Sequence, residues 1–315
     1  MPKVLIYSYR ENEADNYARL VTQANLPELE LVVCRKPQEA AAQISHVDAL
    51  FSVHLPPEIY ELAGENLRWI QSMWAGVDNL MRANIPANTV ITKPWGVFGQ
   101  YLAQYVFGYF LAERIKLQPS LASQAACRWQ PYQLSPIIGQ RIGIAGMGDI
   151  GSFLARVAKS FEMQVWALNH TAKSHPNVDR SFGISEITDF AAGLDLLVSL
   201  LPATPETHGL IGQEVLAALP RHAMLINVGR GTNIDDAALI AALRAERLAG
   251  AVLDVFVQEP LPSDHPYWKL PRCIVTPHIG GPSLPADITR CFVTNYYRFL
   301  HGEPLLATID RQRGY

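Results

Sequence analysis

Arg141-Ile142-Gly143-Ile144-Ala145-Gly146-Met147-Gly148-Asp149-Ile150-Gly151 is the stretch that decides how the rest of the chain is read. An apolar run short enough for one buried strand ends in Gly-x-Gly-x-x-Gly, and the helix-like segment 152–158 follows at once. The pattern predicts a strand, a tight turn and a helix N-terminus. Gly146 lets the chain turn sharply, Gly148 lets a pyrophosphate approach the backbone, and Gly151 lets the helix pack close to the strand. The unpaired N–H groups and positive dipole end of the helix then face the phosphates. Gly146, Gly148, Asp149, Ile150 and Gly151 are therefore the expected contacts of a dinucleotide.

Working outward, strand-like runs at 4–7, 29–33, 49–53, 67–72 and 90–92 alternate with helix-like ones such as 39–44. After residue 140 the rhythm resumes, with strand candidates at 165–168, 194–199, 223–228, 249–254 and 273–276. Strands alternating with helices imply parallel sheets covered on both faces. A chain of 315 residues exceeds the size at which one core usually stops growing, so two domains are expected. The predicted class is α/β: a Rossmann cofactor domain over residues 100–281 and a flavodoxin-like substrate domain over 1–99 and 282–315. Both are doubly wound parallel sheets, with a cleft between them. A long helical pattern over 101–115 is apolar around more than one face, which predicts burial either between domains or against a second subunit, the second option implying a homodimer. The helix-like run 286–300 returns to the first domain.

A net charge of −3, with Lys and Arg scattered, argues against nucleic acid or an anionic membrane as partner and leaves small molecules. Cys34, Cys127, Cys273 and Cys291 lack metal-ligand spacing, so no metal site is expected, and they read as buried thiols of a reducing compartment. The N-terminus runs directly into a strand-like segment without the marks of a signal peptide, and no apolar stretch is long enough to span a bilayer. A cytoplasmic location is the expectation.

In such folds a carboxylate at the end of the second strand bonds the ribose 2′-hydroxyl of NAD. Here that strand runs into Asn169-His170-Thr171-Ala172-Lys173. Asn169 carries no charge to repel a 2′-phosphate, and Lys173 with a protonatable His170 attracts one, so NADP(H) is favoured over NAD(H). Ligands in open parallel sheets lie beyond the carboxyl ends of the strands, where Arg230, Glu259 and His278 all fall. A guanidinium holds a carboxylate and polarises a carbonyl, a histidine donates a proton, and a carboxylate favours and orients the charged imidazole. In the first domain, Met73-Trp74-Ala75-Gly76 follows a strand with a glycine at the turn, and its amides suit a substrate carboxylate.

The segments 146–151, Leu201-Pro202-Ala203-Thr204-Pro205-Glu206-Thr207, Asn227-Val228-Gly229-Arg230-Gly231, 253–256, 259–261 and Thr276-Pro277-His278-Ile279-Gly280 resemble, in order, the signature blocks of the D-isomer-specific 2-hydroxyacid dehydrogenases. Residues 168–174, 128–131 and 309–315 are similar to the glyoxylate/hydroxypyruvate reductase A subfamily, which prefers NADPH. The resemblance implies that Arg230 binds the substrate carboxylate and carbonyl, that Glu259 supports His278, and that His278 is the proton donor in reduction. It implies that Asp254 orients the nicotinamide carboxamide, and that Leu201, Pro202, Val228, Gly229, Arg230, His278 and Gly280 line the dinucleotide with Thr171 and its neighbours. Trp74, Ala75 and Gly76 would help hold the substrate, and Trp129 would reach a partner subunit. One departure stands out: the subfamily carries an arginine where His170 stands, and no acid replaces it.

The expected reaction is NADPH-dependent reduction of a short 2-oxo acid, glyoxylate or hydroxypyruvate. The competing readings are an NAD-dependent dehydrogenase of a larger D-2-hydroxy acid, a non-catalytic dinucleotide-sensing scaffold, and a glycine-loop methyltransferase, which has no use for Arg230 or His278.

Overall fold

The computed structural model describes residues 1–314. The chain divides into two compact units, Met1–Phe98 together with the chain from Ser283 onward, and Gly99–Pro282.

The first unit is a five-stranded, wholly parallel sheet in the order β2-β1-β3-β4-β5. Its strands are β1 (Lys3–Tyr7), β2 (Glu30–Cys34), β3 (Ala49–Ser52), β4 (Trp69–Ser72) and β5 (Val90–Thr92). This is the flavodoxin-like order, with the switch in winding between β1 and β3. Every residue of β3 and β4 is buried, as expected of strands covered on both faces. Helices α1 (Glu13–Gln23), α2 (Pro37–Gln43), α3 (Pro57–Tyr60) and α4 (Asp78–Arg82) supply the cover, joined by the chain's last helix, Pro285–Leu300. Phe292 of that helix stacks on Phe51 (ring centroids 4.4 Å apart) and on Trp69 (5.2 Å). A buried Phe of this kind contributes roughly 1.5–3 kcal/mol. Asn295 completes the dock by donating to Gln71 Oε1 (3.3 Å) and accepting the Leu306 N–H (2.8 Å).

The second unit is a seven-stranded parallel sheet in the order β12-β11-β10-β9-β6-β7-β8. It opens with α5 (Phe98–Arg114) and α6 (Leu117–Ala125), then β6 (Arg141–Ala145), α7 (Asp149–Ser160), β7 (Gln164–Leu168), β8 (Arg180–Phe182) and α8 (Ile187–Ala191). The chain then crosses β6 to lay down β9 (Leu196–Ser199), α9 (Gln213–Ala218), β10 (Met224–Asn227), α10 (Asp236–Arg244), β11 (Gly250–Leu253) and β12 (Cys273–Val275). The winding therefore reverses between β6 and β9, at the strand that carries the glycine turn. Asp235 caps α10 by accepting the Ala238 N–H (3.0 Å), in keeping with its run of N-terminal carboxylates.

Several expectations need correction. The three-residue β8 and the helix α6 have no counterpart in the sequence reading. β8 is too short to show alternation, and Pro119 disguises α6 although proline is tolerated in a first helical turn. Cys127 is exposed and Cys273 half-buried, so only Cys34 and Cys291 are the buried thiols expected. α5 is buried on one side through Leu102, Val106 and Phe110, while Gln104 and Gly108 lie on the surface.

Candidate active site

The glycine turn behaves as three separate devices. Gly146 adopts φ +108°, and a Cβ there would lie 2.9 Å from the Leu200 carbonyl oxygen, so the sharp turn requires glycine. Gly151 sits where a Cβ would be 2.1 Å from the Gly146 carbonyl oxygen, which lets α7 close onto β6. Gly148, the residue that opens α7, is exposed, and a Cβ there would meet nothing within 4 Å. Bare backbone at a helix N-terminus is a cradle that a side chain would fill, and it suits a pyrophosphate. Asp149 and Ile150 form the first turn of α7, so the residues present fit a dinucleotide.

Beyond β7, Asn169 is spent on its own loop. Its Oδ1 accepts the N–H groups of Thr171 (3.2 Å) and Lys173 (3.0 Å), and its Nδ2 donates to the Lys173 carbonyl (3.1 Å). His170, Thr171 and Lys173 are exposed on the loop so formed. The His170 Nε2 lies 3.4 Å from Oε2 of Glu206, which belongs to the loop after β9. Nothing in the linear pattern around residue 170 indicates that carboxylate. The loop after β9 is braced: Thr207 Oγ1 donates to the Pro202 carbonyl (2.6 Å), which also accepts from Asn233 Nδ2 (2.9 Å), while Leu201 is buried.

After β10 the buried Asn227 shapes the turn by accepting the Gly229 N–H (3.2 Å) and donating to the Arg230 carbonyl (3.0 Å). Val228 is buried, and a Cβ on Gly229 would lie 2.8 Å from the Leu201 backbone, so the loops after β9 and β10 press together. The Arg230 N–H is held by Asn233 Oδ1 (3.0 Å), and its Nη1 donates to the Gly229 carbonyl (2.7 Å). At Gly231 a Cβ would be 2.0 Å from the Phe256 carbonyl carbon, so Arg230's loop also packs directly on the loop that carries Glu259.

That neighbouring loop and the one after β12 build a single assembly around His278. Glu259 Oε1 accepts the Phe256 N–H (2.9 Å) and its Oε2 lies 2.8 Å from His278 Nδ1. His278 itself sits at φ +52°, an uncommon conformation for a residue with a side chain. Asp254, almost fully buried, holds it there. Its carbonyl accepts the His278 N–H (2.9 Å), Oδ1 accepts the Ile279 N–H (2.9 Å) and the Thr276 hydroxyl (2.6 Å), and Oδ2 accepts the Gly280 N–H (2.9 Å). The Thr276 oxygen in turn accepts from the Tyr105 hydroxyl of α5 (2.5 Å). Burial pushes that phenol well above its ordinary range, which keeps it a donor. Thr276 and Tyr105 escaped sequence reasoning because neither residue type advertises a site. The nearest signal was Thr276 at a strand end.

Three of the predicted residues, Asp254, Glu259 and His278, are thus joined by hydrogen bonds, and Arg230's loop lies against theirs. Trp74, Ala75 and Gly76 follow β4 in the other unit. There Ser72 Oγ accepts the Trp74 N–H (3.0 Å) and donates to the Trp74 carbonyl (2.9 Å), while the Trp74 ring meets the His54 ring (4.6 Å) and the Arg10 guanidinium (5.2 Å). Among the described residues no cluster of His, Cys, Asp or Glu could hold a metal ion. Nor is any described helix long and apolar enough to cross a membrane.

A parallel sheet wound in this order, with the glycine turn on its central strand and an imidazole–carboxylate pair at the same edge, defines a nicotinamide-dinucleotide oxidoreductase. Residues 107–280 match the family model described as D-isomer specific 2-hydroxyacid dehydrogenase, NAD binding domain. Glyoxylate/hydroxypyruvate reductase A of Klebsiella pneumoniae is 32% identical over 271 residues, covering 82% of this chain and 85% of that one. The crystal structure of a D-isomer specific 2-hydroxyacid dehydrogenase from Xanthobacter autotrophicus Py2, in complex with NADPH and MES, is 30% identical and covers 100% of both chains at a TM-score of 0.89. A family member from Aeromonas salmonicida is 34% identical and covers 98% of both at 0.87. The chain belongs to the D-isomer specific 2-hydroxyacid dehydrogenase family, and is accordingly an NAD(P)-dependent oxidoreductase of 2-hydroxy acids.

Proposed function

We propose that the protein reduces a short 2-oxo acid, glyoxylate or hydroxypyruvate, with NADPH as the favoured donor. The observation that carries this reading is the His278–Glu259 pair, an acid held by a fixed carboxylate at the sheet edge that bears the glycine turn. In this reading the unit Gly99–Pro282 is the dinucleotide-binding domain, and the remainder is the substrate domain.

When bound, the reduced nicotinamide supplies hydride to the carbonyl carbon. His278 delivers a proton from Nε2 to the carbonyl oxygen, because Nδ1 is engaged by Glu259. Glu259 fixes the tautomer and the ring plane. Arg230 binds the substrate carboxylate and offsets the negative charge that grows on the carbonyl oxygen. Asp254 keeps one acceptor position on Oδ2 beyond its bond to Gly280, which suits a carboxamide N–H of the nicotinamide. The turn Trp74-Ala75-Gly76 after β4 offers its backbone amides to the substrate carboxylate. His170, Thr171 and Lys173, on the loop that Asn169 shapes, take the adenosine ribose end, with Leu201, Pro202, Val228, Gly229 and Gly280 along the dinucleotide. The NADPH held by the Xanthobacter relative supports this choice of cofactor.

A homodimer accords with the apolar side chains exposed between Ile115 and Ile138, Trp129 foremost among them at 97% exposure. The scattered spacing of the four cysteines fits a reducing compartment such as the cytoplasm, and the scattered charge fits small-molecule partners.

The test is a panel that follows NADPH absorbance with glyoxylate, hydroxypyruvate, pyruvate and a phosphorylated analogue. Turnover with the first two above the others is expected. Oxidation of NADPH with none of the four would overturn the reading.

A further inference from the structure

Resting on that dinucleotide reading, the geometry points to Glu206 as a residue that selects between the two dinucleotides. The end of β7 carries no acid, since Asn169 stands there and its amide is committed to the loop. A carboxylate nonetheless arrives at that place from across β6. Glu206, on the loop after β9, lies 3.4 Å from His170, on the loop after β7. These loops flank the C-terminal end of β6, where the glycine turn begins, so the pair stands beside that turn, at the adenosine ribose end in the dinucleotide reading. The Thr207 hydroxyl accepts the Thr204 N–H (3.0 Å) and donates to the Pro202 carbonyl (2.6 Å), so Glu206 is presented by a turn of fixed shape rather than a loose tail.

Two consequences follow from the charge. Toward NAD(H), the carboxylate accepts a ribose hydroxyl, the part usually taken by an acid at the end of the second strand. Toward NADP(H), it competes with the 2′-phosphate for His170 and repels it, with Lys173 on the same loop as the remaining cation. Glu206 thereby narrows this chain's preference for NADP(H) over NAD(H), and removing its charge widens that preference. Unit charges about 4 Å apart in water alter an equilibrium by about fivefold, so a phosphate of nearly two charges gives roughly ten- to thirtyfold.

The experiment measures binding of ADP-ribose and 2′-phospho-ADP-ribose to the full-length protein by calorimetry, at low and high salt, in wild type and in Glu206→Gln and Glu206→Ala. Neither fragment needs a substrate or the nicotinamide. Both variants should raise the preference for the phosphorylated fragment by about ten- to thirtyfold at low salt, and the gain should shrink at 0.5 M salt as screening sets in. An unchanged ratio, a fall in affinity for the phosphorylated fragment, or a gain insensitive to salt would each overturn the assignment of Glu206 and leave the dehydrogenase reading intact. If wild type binds neither fragment, the dinucleotide reading fails and takes this one with it.

Discussion

Glu259 and His278 stand 2.8 Å apart although 19 residues separate them in sequence, and the second oxygen of the same carboxylate is tied to the Phe256 backbone. The carboxylate is therefore a fixed post, and the imidazole turns to it. Glu259→Gln keeps the size of the side chain but removes the charged acceptor that orients the His278 ring and sets its tautomer. It should lower kcat by about ten- to a thousandfold, as loss of a single orienting or electrostatic group does. KM for the 2-oxo acid and dinucleotide affinity should change little. Steady-state kinetics with fluorescence titration of NADPH checks this, and a lost KM with an intact kcat would contradict it.

Arg230 offers a planar fork from a turn fixed by Asn227 and Asn233. An ammonium cannot bond a carboxylate and a carbonyl in the same plane, so Arg230→Lys should recover little of what Arg230→Ala loses. Each should raise KM for the 2-oxo acid and lower kcat/KM by about a hundredfold or more, with NADPH still bound. Full rescue by lysine would show that charge alone matters at this position.

The glycines separate binding from folding. Gly148→Ala adds a methyl that meets no protein atom within 4 Å, so stability should hold while dinucleotide affinity falls at least tenfold. Gly151→Ala drives a methyl to 2.1 Å from the Gly146 carbonyl oxygen, which forces α7 away from β6. Overpacking of this kind costs about 1–3 kcal/mol. Thermal melts of both variants without ligand, beside NADPH titrations, test the contrast, and equal destabilisation would refute it.

Much of this architecture is legible in the linear chain, for identifiable reasons. The buried parallel strands are continuous apolar runs, as at Leu196–Ser199 and Met224–Asn227, and Gly146 and Gly151 each meet a steric demand while Gly148 leaves open space. Arg230, Glu259 and His278 stand out because charged residues at strand ends have few structural uses. What stays hidden depends on register between distant segments. The carboxylate that meets His170 is Glu206, 36 positions further on, and no spacing rule connects them. Asp254 reads as one carboxylate after a strand, whereas its four bonds to residues 276–280 exist only once β11 and β12 pair. The short β8 and the proline-bearing α6 leave no periodic trace.

The exposed apolar side chains after α5 bear on assembly. Trp129 is 97% exposed, Ile138 65%, Leu134 56% and Leu121 49%, far more apolar surface than a short connection needs. The protein should sediment at twice the chain mass, and the pair Leu121→Lys with Ile138→Lys should shift it to the monomer. Sedimentation velocity over a concentration series measures this. A wild-type chain that stays monomeric would refute the dimer.

Asp254 provides the sharpest contrast with Glu259, because it acts on the backbone of the histidine rather than its ring. Asp254→Asn keeps one oxygen but points an NH2 group at amide hydrogens, so one of Ile279, Gly280 or Thr276 loses its acceptor in a buried setting. An unsatisfied buried group of this kind costs about 1–3 kcal/mol, or a melting temperature lower by roughly 2–10 °C in a domain of this size. His278 would also relax from φ +52°, so kcat should fall together with stability. Glu259→Gln should instead lower kcat with an unchanged melting temperature, since its carboxylate is partly open to solvent. Differential scanning calorimetry and initial rates on the same preparations decide the matter: an Asp254→Asn protein as stable as wild type would show that this carboxylate does not brace the turn.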